Sequence, residues 1–522
     1  MANLRTLAAL VAAAILVAPP AVADATPRPE LARESGTYDR FIVRMQDGAE
    51  NAPAATNLRM KKVKSTGEGA MVVSTDRKVS VEEAQQSLQG KVDYIEPDVR
   101  NVAFAGAEQH APFGEKGPND PRYQDEWWLH GPNSAHFDAA WAGSTGKRQV
   151  VAVVDSGITK HPDLDWNVTD GYDMIADSAQ ARDGDGRDPD PADEGDWNYA
   201  RECGSTQGLD SVWHGTHVAG EIAAETNNHL GLAGAAPDAV VQPVRVLGKC
   251  GGWVSDIADG IIWAAGGHVK GVPNNPNPAK VINLSLGGYA EHCFKTYQRA
   301  IDIATKRGAL VVAAAGNGNE DARRTQPANC NNVLTVGASG STGDRAGYSN
   351  FGPRVDITAP GGDMENGKGI TSTLNSGSTI PADAKYAEYD GTSMATPLVA
   401  AAAALVRAHD PTLSPEALRD VLVSTARELP GKCGKGCGSG LLDAEAAMRR
   451  VWALPGKEPD SGTTRSPTPT TSADAEKPGE ESQDHQPEPV ESTVTGESSE
   501  QPTNETAEPT QESDTNAGPA AS

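Results

Sequence analysis

Positive charge is what this 522-residue chain is short of: 45 Lys and Arg stand against 71 Asp and Glu, a formal net charge of −26. That balance excludes nucleic acid and anionic membrane surfaces as partners, since both require cations to replace the counterions of phosphates. The deficit is uneven, because residues 455–522 hold fifteen acids and three bases, a net of −12. No apolar run approaches the twenty residues of a bilayer-spanning helix, and no internal repeat is evident. The leading apolar stretch, Leu7 to Ala18, has only twelve residues. With Arg5 before it and Ala21-Val22-Ala23 after it, residues 1–23 have the three regions of a secretory signal peptide. The mature chain is expected to be secreted and free of any membrane span. No wall-sorting signal or terminal membrane helix is expected. Cysteines are few but even in number, and Cys203, Cys250, Cys293, Cys330, Cys433 and Cys437 suit disulfides in an oxidising compartment. A metal knuckle at Cys433 and Cys437 lacks the second pair of ligands it would need.

What is present changes along the chain. Residues 40–45 alternate like a half-buried strand, 71–74 and 92–95 add two more, and Ser80-Val81-Glu82-Glu83 is a capping box opening a helix to about Leu88. These make a small α+β unit. Residues 105–118 are rich in Gly, Pro and charge without periodicity, a linker. Beyond it, 149–154, 240–247, 280–286, 310–315 and 333–336 are apolar on nearly every residue, as strands covered on both faces are. Helical patterns fall between them at 218–226, 257–265 and 296–307, with three later helices following Ser393, Ser414 and Asp443. This alternation predicts an α/β domain over 119–454 built on a doubly wound, mostly parallel sheet, with its ligand site at the carboxyl ends of the strands. From 455 onward Pro, Thr, Ser, Glu and Gln dominate, and too little apolar surface exists to offset the entropy of ordering, so a disordered acidic tail is expected.

Four local motifs lie at strand ends or helix starts. Asp155-Ser156-Gly157 ends the first buried strand, His214-Gly215-Thr216-His217 opens a small-residue helix, Ala315-Gly316-Asn317 ends a later strand, and Gly391-Thr392-Ser393-Met394-Ala395-Thr396-Pro397 leads into an alanine-rich run. Taken singly, each has a structural explanation: a turn cap, a packed histidine, a turn amide and a helix cap. Taken together, they supply a hydroxyl nucleophile, a base, an orienting carboxylate and an oxyanion donor, the parts of acyl transfer. Spacing does not choose between His214 and His217 as base. The glutamate of a zinc-protease helix is absent, and Ala395 breaks the G-x-S-x-G elbow of α/β-hydrolases. A histidine base predicts activity rising through roughly pH 6 to 8.

These four motifs, in this order, resemble the signatures of the subtilisin-like serine proteases, the subtilases. The resemblance spans residues 38–451 and implies a secreted serine endopeptidase acting on protein or peptide substrates. Asp155 would orient His214, His214 would be the general base, Ser393 the nucleophile, and Asn317 would join the Ser393 N–H in the oxyanion hole, leaving His217 structural. Ser285-Leu286-Gly287 and Ala314-Ala315-Gly316 match the segments lining the first specificity pocket; their small residues imply a preference for large uncharged side chains on the acyl side. Residues 24–104, with a core at 38–98 ending Tyr94-Ile95-Glu96-Pro97-Asp98, are similar to an inhibitory propeptide, making the chain a monomeric zymogen that cuts itself between about Arg100 and Pro118. A narrow processing protease and a catalytically silent binding scaffold are the competing readings. Intact Asp155, His214, Asn317 and Ser393 weigh against the scaffold.

Structural Ca²⁺ is expected at two places. Carboxylates crowd Asp183-Gly184-Asp185-Gly186-Arg187-Asp188-Pro189-Asp190, where Asp183, Asp185, Asp188 or Asp190 and the Arg187 carbonyl suit a hard cation. The resemblance implies a second site from Asp120, Asp163, the Asn228 amide and the carbonyls of Glu225, Leu230 and Leu232. It also implies the disulfide pairs Cys203–Cys250, Cys293–Cys330 and Cys433–Cys437. No redox or organic cofactor is expected.

Overall fold

The computed structural model describes residues 36–46, 58–88, 92–103 and 118–453. The expected signal peptide, nearly all of the linker and the acidic tail lie outside the described residues. The N-terminal unit contains β1 (Tyr38–Met45), β2 (Lys61–Ser65), β3 (Met71–Val79), α1 (Val81–Ser87) and β4 (Val92–Pro97), with the strands in the order β2-β3-β1-β4. Ser80 caps α1 by accepting from the Glu83 N–H, as the capping box predicts. β5 (Arg100–Ala103) then leaves this sheet for another.

Further along come α2 (Phe137–Ala140), β6 (Val150–Asp155), β7 (Tyr172–Asp173), α3 (Ser178–Ala181), α4 (His214–Ala223), β8 (Val240–Arg245), β9 (Gly252–Trp253) and α5 (Val254–Ala264). They are followed by β10 (Val281–Leu284), β11 (Leu286–Tyr289), α6 (Lys295–Lys306), β12 (Leu310–Ala314), β13 (Thr325–Gln326), β14 (Val333–Ser339) and β15 (Ile357–Pro360). Last are β16 (Ile370–Asn375), β17 (Ala384–Tyr389), α7 (Thr392–His409), α8 (Pro415–Thr425) and α9 (Ala444–Trp452).

Seven strands form the main sheet, in the order β15-β14-β12-β10-β6-β8-β7, and its pairings are parallel. Alternate residues go to opposite faces. Val151, Val153, Val281, Leu310 and Val312 join the cluster with α4, α7, α8 and α9, whereas Ala152, Val154, Ile282, Val311 and Ala313 join the cluster with α5 and α6. Burial on both faces is why these strands read as unbroken apolar runs. A β16–β17 hairpin lies beside α4.

Two helix starts differ from expectation. The helix expected from 218 begins at His214, because its first turn is made of buried polar and small residues that carry no apolar period. The helix expected after Ser393 begins at Thr392, so that Ser393 lies inside it and Pro397 falls beyond its first turn. Proline inside a helix removes an N–H that would bond the carbonyl four residues back. That carbonyl belongs to Ser393, and it accepts instead from Ser285 Oγ at 2.8 Å.

The N-terminal unit completes two helices of the larger domain. Neither Trp253 nor Phe294, at the starts of α5 and α6, makes a side-chain cap. Asp98 accepts from Ser255 N and Oγ at 3.0 and 2.9 Å, and Glu96 accepts from the Lys295 and Thr296 N–H groups, so carboxylates from the N-terminal unit meet both helix N-termini. Lys64 pairs with Asp256 and Asp259 on α5, which also hold Arg187 at 2.7 Å each. Ile42, Ala70, Val72 and Tyr94 share an apolar cluster with α5 and α6.

Candidate active site

Asp155 is the last residue of β6, and His214 the first of α4. Their contact is Asp155 Oδ1 to His214 Nδ1 at 2.8 Å, with both side chains fully buried. Asp155 Oδ1 also accepts from Ser156 N at 2.7 Å, while Ser156 Oγ accepts from Gly215 N at 3.0 Å and donates to Asp193 Oδ2 at 2.6 Å. Burial, with Asp196 adding to it, pushes the Asp193 carboxyl up to about 7. Asp193 was not legible as part of the site, since only the fold brings it under Ser156. Gly215 is required: a Cβ there would lie 2.2 Å from the Gly157 carbonyl oxygen.

The choice between the two histidines follows from their partners. His217 stacks on Tyr389 at 4.6 Å, and its Nε2–H donates to the Ala387 carbonyl at 3.2 Å. Its Nδ1 lies 3.0 Å from Glu221 Oε1. Burial pushes His217 down to about 3 and Glu221 well above the usual carboxylate range, so this is a neutral pair in which Glu221 donates. His214 instead has its Nδ1 on a carboxylate and its Nε2 without a hydrogen bond among the described residues. Only His214 has the arrangement of an oriented base.

Ser393 sits in the first turn of α7 and is not the helix cap; Gly391 precedes the helix with extended backbone angles. Its Oγ donates to the Ser285 carbonyl at 2.8 Å, so the two serines clasp each other reciprocally. Asn317 follows β12, where its Oδ1 accepts from Thr392 N at 2.9 Å and from Thr392 Oγ1 at 2.7 Å. With the carbonyl end held by Thr392, Nδ2 is the donor end directed elsewhere. Thr392 also accepts from Gly316 N at 3.1 Å. Leu286 and Gly287 lie on β11 and pair with Ala103 and Val102 of β5, and Ala314, Ala315 and Gly316 end and follow β12. Asn350 Nδ2 holds the Ala315 carbonyl at 2.9 Å and Thr325 Oγ1 at 3.0 Å.

Residues 146–444, more than half of the chain, match the model of the Subtilase family. The chain belongs to that family. An extracellular protease of Xanthomonas campestris is 44% identical over 468 residues, 85% of this chain and 78% of that protein. An extracellular basic protease of Dichelobacter nodosus is 43% identical over 432 residues, 79% of this chain and 70% of that one. A solved protease structure from Pseudoalteromonas arctica has 49% identity and a TM-score of 0.62, covering 64% of this chain and 99% of its own. This subtilase is thus a subtilisin-like serine endopeptidase with the family's α/β fold. Among the described residues no helix is long and apolar enough to cross a membrane.

Other carboxylates are grouped closely enough to hold a cation. Asp173, Asp183 and Asp188 bring ligand atoms within 4.8 Å of one another. Asp173, at the end of β7, was missed by sequence reasoning, and Asp185 and Asp190 are not in the group. Arg245 bonds Asp173 at 2.6 Å and Asp183 at 2.8 Å. Even so, burial and the Asp183 neighbour push Asp173 up to about 8. The Arg187 side chain turns to Asp256, Asp259 and the Met174 carbonyl. At the other expected site Asp120 accepts from Asn227 N and Asn228 N, and Asp163 from Leu232 N and Asn228 Nδ2. Burial, with Asp120 nearby, raises Asp163 to about 6, and a Cβ on Gly231 would stand 2.1 Å from Asp163 Oδ2. The Glu225 carboxylate accepts from Trp166 N, and Leu230 N donates to Asn228 Oδ1. The three disulfides are Cys203–Cys250, Cys293–Cys330 and Cys433–Cys437.

Proposed function

We propose that the protein is a secreted endopeptidase made as a self-processing zymogen, with Ser393, His214, Asp155 and Asn317 as its catalytic set. The observation that carries this reading is the buried Asp155–His214 pair, with Nε2 making no hydrogen bond among the described residues, at the start of α4, which packs against α7, the helix that carries Ser393 in its first turn. Ser393 Oγ leaves the Ser285 carbonyl, attacks the scissile carbon and gives its proton to His214 Nε2. Asn317 Nδ2 and the Ser393 N–H receive the oxyanion, aided by the helix N-terminus. His214 then protonates the leaving amine, and water repeats the sequence to release the acid.

The groove for the acyl side is the gap between β9 and β11, which β5 fills as an antiparallel strand. Ala103 pairs with Leu286, and the residue just before β11, Ser285, holds Ser393 Oγ through its carbonyl. We therefore assign the self-cleaved bond to Phe104–Ala105, which lies within the expected interval and puts a large uncharged residue on the acyl side. Secretion from a protease-free host should yield an N-terminal fragment whose intact mass ends at Phe104, whereas Ser393→Ala should remain uncut. Cutting of the Ser393→Ala chain would assign processing to another enzyme.

Both carboxylate groups fit Ca²⁺, because each sets a buried aspartate, Asp173 or Asp163, beside further oxygen donors, although Arg245 already pairs with Asp173 and Asp183. Asp173, Asp183 and Asp188 would hold one ion; Asp120, Asp163, Asn228 and the carbonyls of Glu225, Leu230 and Leu232 the other. The ions would supply charge compensation and stiffen the loops. EDTA should lower the melting temperature and speed autolysis, with Ca²⁺ restoring both; no change in either would remove both assignments. Export follows from the signal-like residues 1–23 and from relatives named as extracellular proteases.

A further inference from the structure

Of the four residues in the proposed catalytic set, Asn317 alone belongs to neither a helix nor a strand, since β12 ends at Ala314. Its aim therefore depends on what holds the turn 315–320. The side chain is gripped through Oδ1, which accepts from Thr392 N at 2.9 Å and Thr392 Oγ1 at 2.7 Å. The backbone is gripped by a second turn, 348–351. Asn319 N donates to the Tyr348 carbonyl at 2.7 Å, Asn350 N to the Gly316 carbonyl at 2.8 Å, and Phe351 N to the Glu320 carbonyl at 3.0 Å.

The Asn350 side chain closes this grip on both sides of Asn317. Ahead of it, Nδ2 donates to the Ala315 carbonyl at 2.9 Å and to Thr325 Oγ1 at 3.0 Å. Behind it, Oδ1 accepts from Gly318 N at 3.0 Å and Glu320 N at 2.9 Å. Asn350 is 2% exposed, so water does not share in these bonds. Two N–H donors and two acceptor lone pairs are the whole capacity of a carboxamide, and all four are used. An aspartate would lose both donors, and a serine has only one. Gly316 leaves the amide its space: its φ is +99°, and a Cβ there would lie 2.6 Å from Asn350 Nδ2.

We infer that Asn350 is a positioning residue for the oxyanion hole: by fixing the backbone on both sides of Asn317, it keeps the Asn317 amide donors aimed at the charge that develops on the scissile oxygen. This rests on the reading of Asn317 as an oxyanion donor. Such donors act because their direction is set before the charge forms, and a small misplacement is felt mainly in the transition state. The pocket wall is less dependent on the Asn350 side chain. Ala315 N still donates to the Val336 carbonyl at 2.9 Å, and the Gly316 carbonyl keeps the Asn350 backbone N–H. Truncation at Asn350 therefore falls on kcat and not on KM.

The test uses mature enzyme, freed of the N-terminal unit in trans by tagged wild-type enzyme that is then withdrawn, and a peptide p-nitroanilide with Phe on the acyl side. Wild type, Asn350→Ala, Asn317→Ala and the double variant form a cycle. Asn317→Ala is expected to lower kcat on the order of 10²- to 10³-fold. Asn350→Ala is expected to lower kcat about tenfold, with KM changed less than about threefold. The double variant should match Asn317→Ala within about twofold, because a donor that is absent cannot be misaimed. Losses that multiply in the double variant overturn the inference, as does a wild-type kcat in Asn350→Ala or a loss carried by KM. A wild-type kcat in Asn317→Ala overturns the oxyanion reading and this inference together. Should Asn350→Ala fail to fold, Asn350→Ser, which keeps a polar group in the turn, takes its place in the cycle and the same comparison decides.

Discussion

Asp155→Asn is expected to lower kcat by on the order of 10⁴ with little change in KM, and Ser393→Ala to abolish labelling by a fluorophosphonate. Asp155 Oδ1 lies 2.8 Å from His214 Nδ1, which makes that nitrogen the N–H donor and leaves a basic lone pair on Nε2. An asparagine can present its amide N–H to Nδ1, which moves the ring proton to Nε2 and removes the base. Both side chains are fully buried, so water has no access with which to restore the tautomer. In the proposed mechanism Asp155 also balances the imidazolium formed during attack, which a neutral amide would not do. The substitution removes an interaction that strengthens only in the transition state, which is why kcat and not KM carries the loss. The assay requires removal of the N-terminal unit in trans by tagged wild-type enzyme that is then withdrawn. Near-wild-type turnover in Asp155→Asn, or labelling that persists in Ser393→Ala, would overturn the assignment.

The parts of this site written into consecutive residues were legible, and the parts assembled across the fold were not. Asp155, His214, Asn317 and Ser393 stand in short motifs at strand ends and helix starts, where periodicity breaks. The doubly wound sheet was legible because Val151 and Ala152 face different layers and both are apolar. His214 and His217 were indistinguishable in spacing, and their different partners separate them: Asp155 arrives from 59 residues away, Glu221 from four. Asp193 left no signal, since an aspartate in a polar loop is an ordinary turn residue, and Thr392 was legible as part of its motif but not as the partner of Asn317, 75 residues away. Asp173 lay outside the crowded 183–190 loop because composition marks density along the chain and not convergence in space. The start of α7 after Ser393 was legible to within two residues, but Pro397, which ordinarily marks a first turn, lies deeper in the helix; here Ser285 Oγ replaces the missing donor, and the helix runs through.

Inhibition by the released N-terminal unit is expected to weaken on the order of a hundredfold between pH 5 and pH 8, and most of that dependence should vanish in Glu68→Gln. Glu68 lies in the turn between β2 and β3 and is buried where the N-terminal unit meets α6. Tyr94 Oη donates to its Oε1, Arg299 Nε lies 3.7 Å and Arg44 Nη1 4.0 Å from its Oε2, and Arg299 also holds Asp93 at 2.6 Å. Burial outweighs the tyrosine and the two guanidinium groups and, with Glu96 adding repulsion, pushes the Glu68 carboxyl from 4.5 up to about 7. Between those values the docked unit holds a proton that the free unit does not, so docking loses stability as pH rises through this window. Below it both forms are protonated and above it both are ionised, and the curve flattens at either end. Glu96, also raised by burial at the α6 N-terminus, contributes in the same direction and supplies the dependence left in the variant. The inhibition constant of the 24–104 fragment against mature enzyme, measured from pH 5 to 8, checks this. An equal slope for wild type and Glu68→Gln would show that Glu68 is not the group whose ionisation loosens the contact. If the slope falls as expected, a cut precursor stays inhibited in mildly acidic surroundings and frees its groove as the pH rises past neutrality.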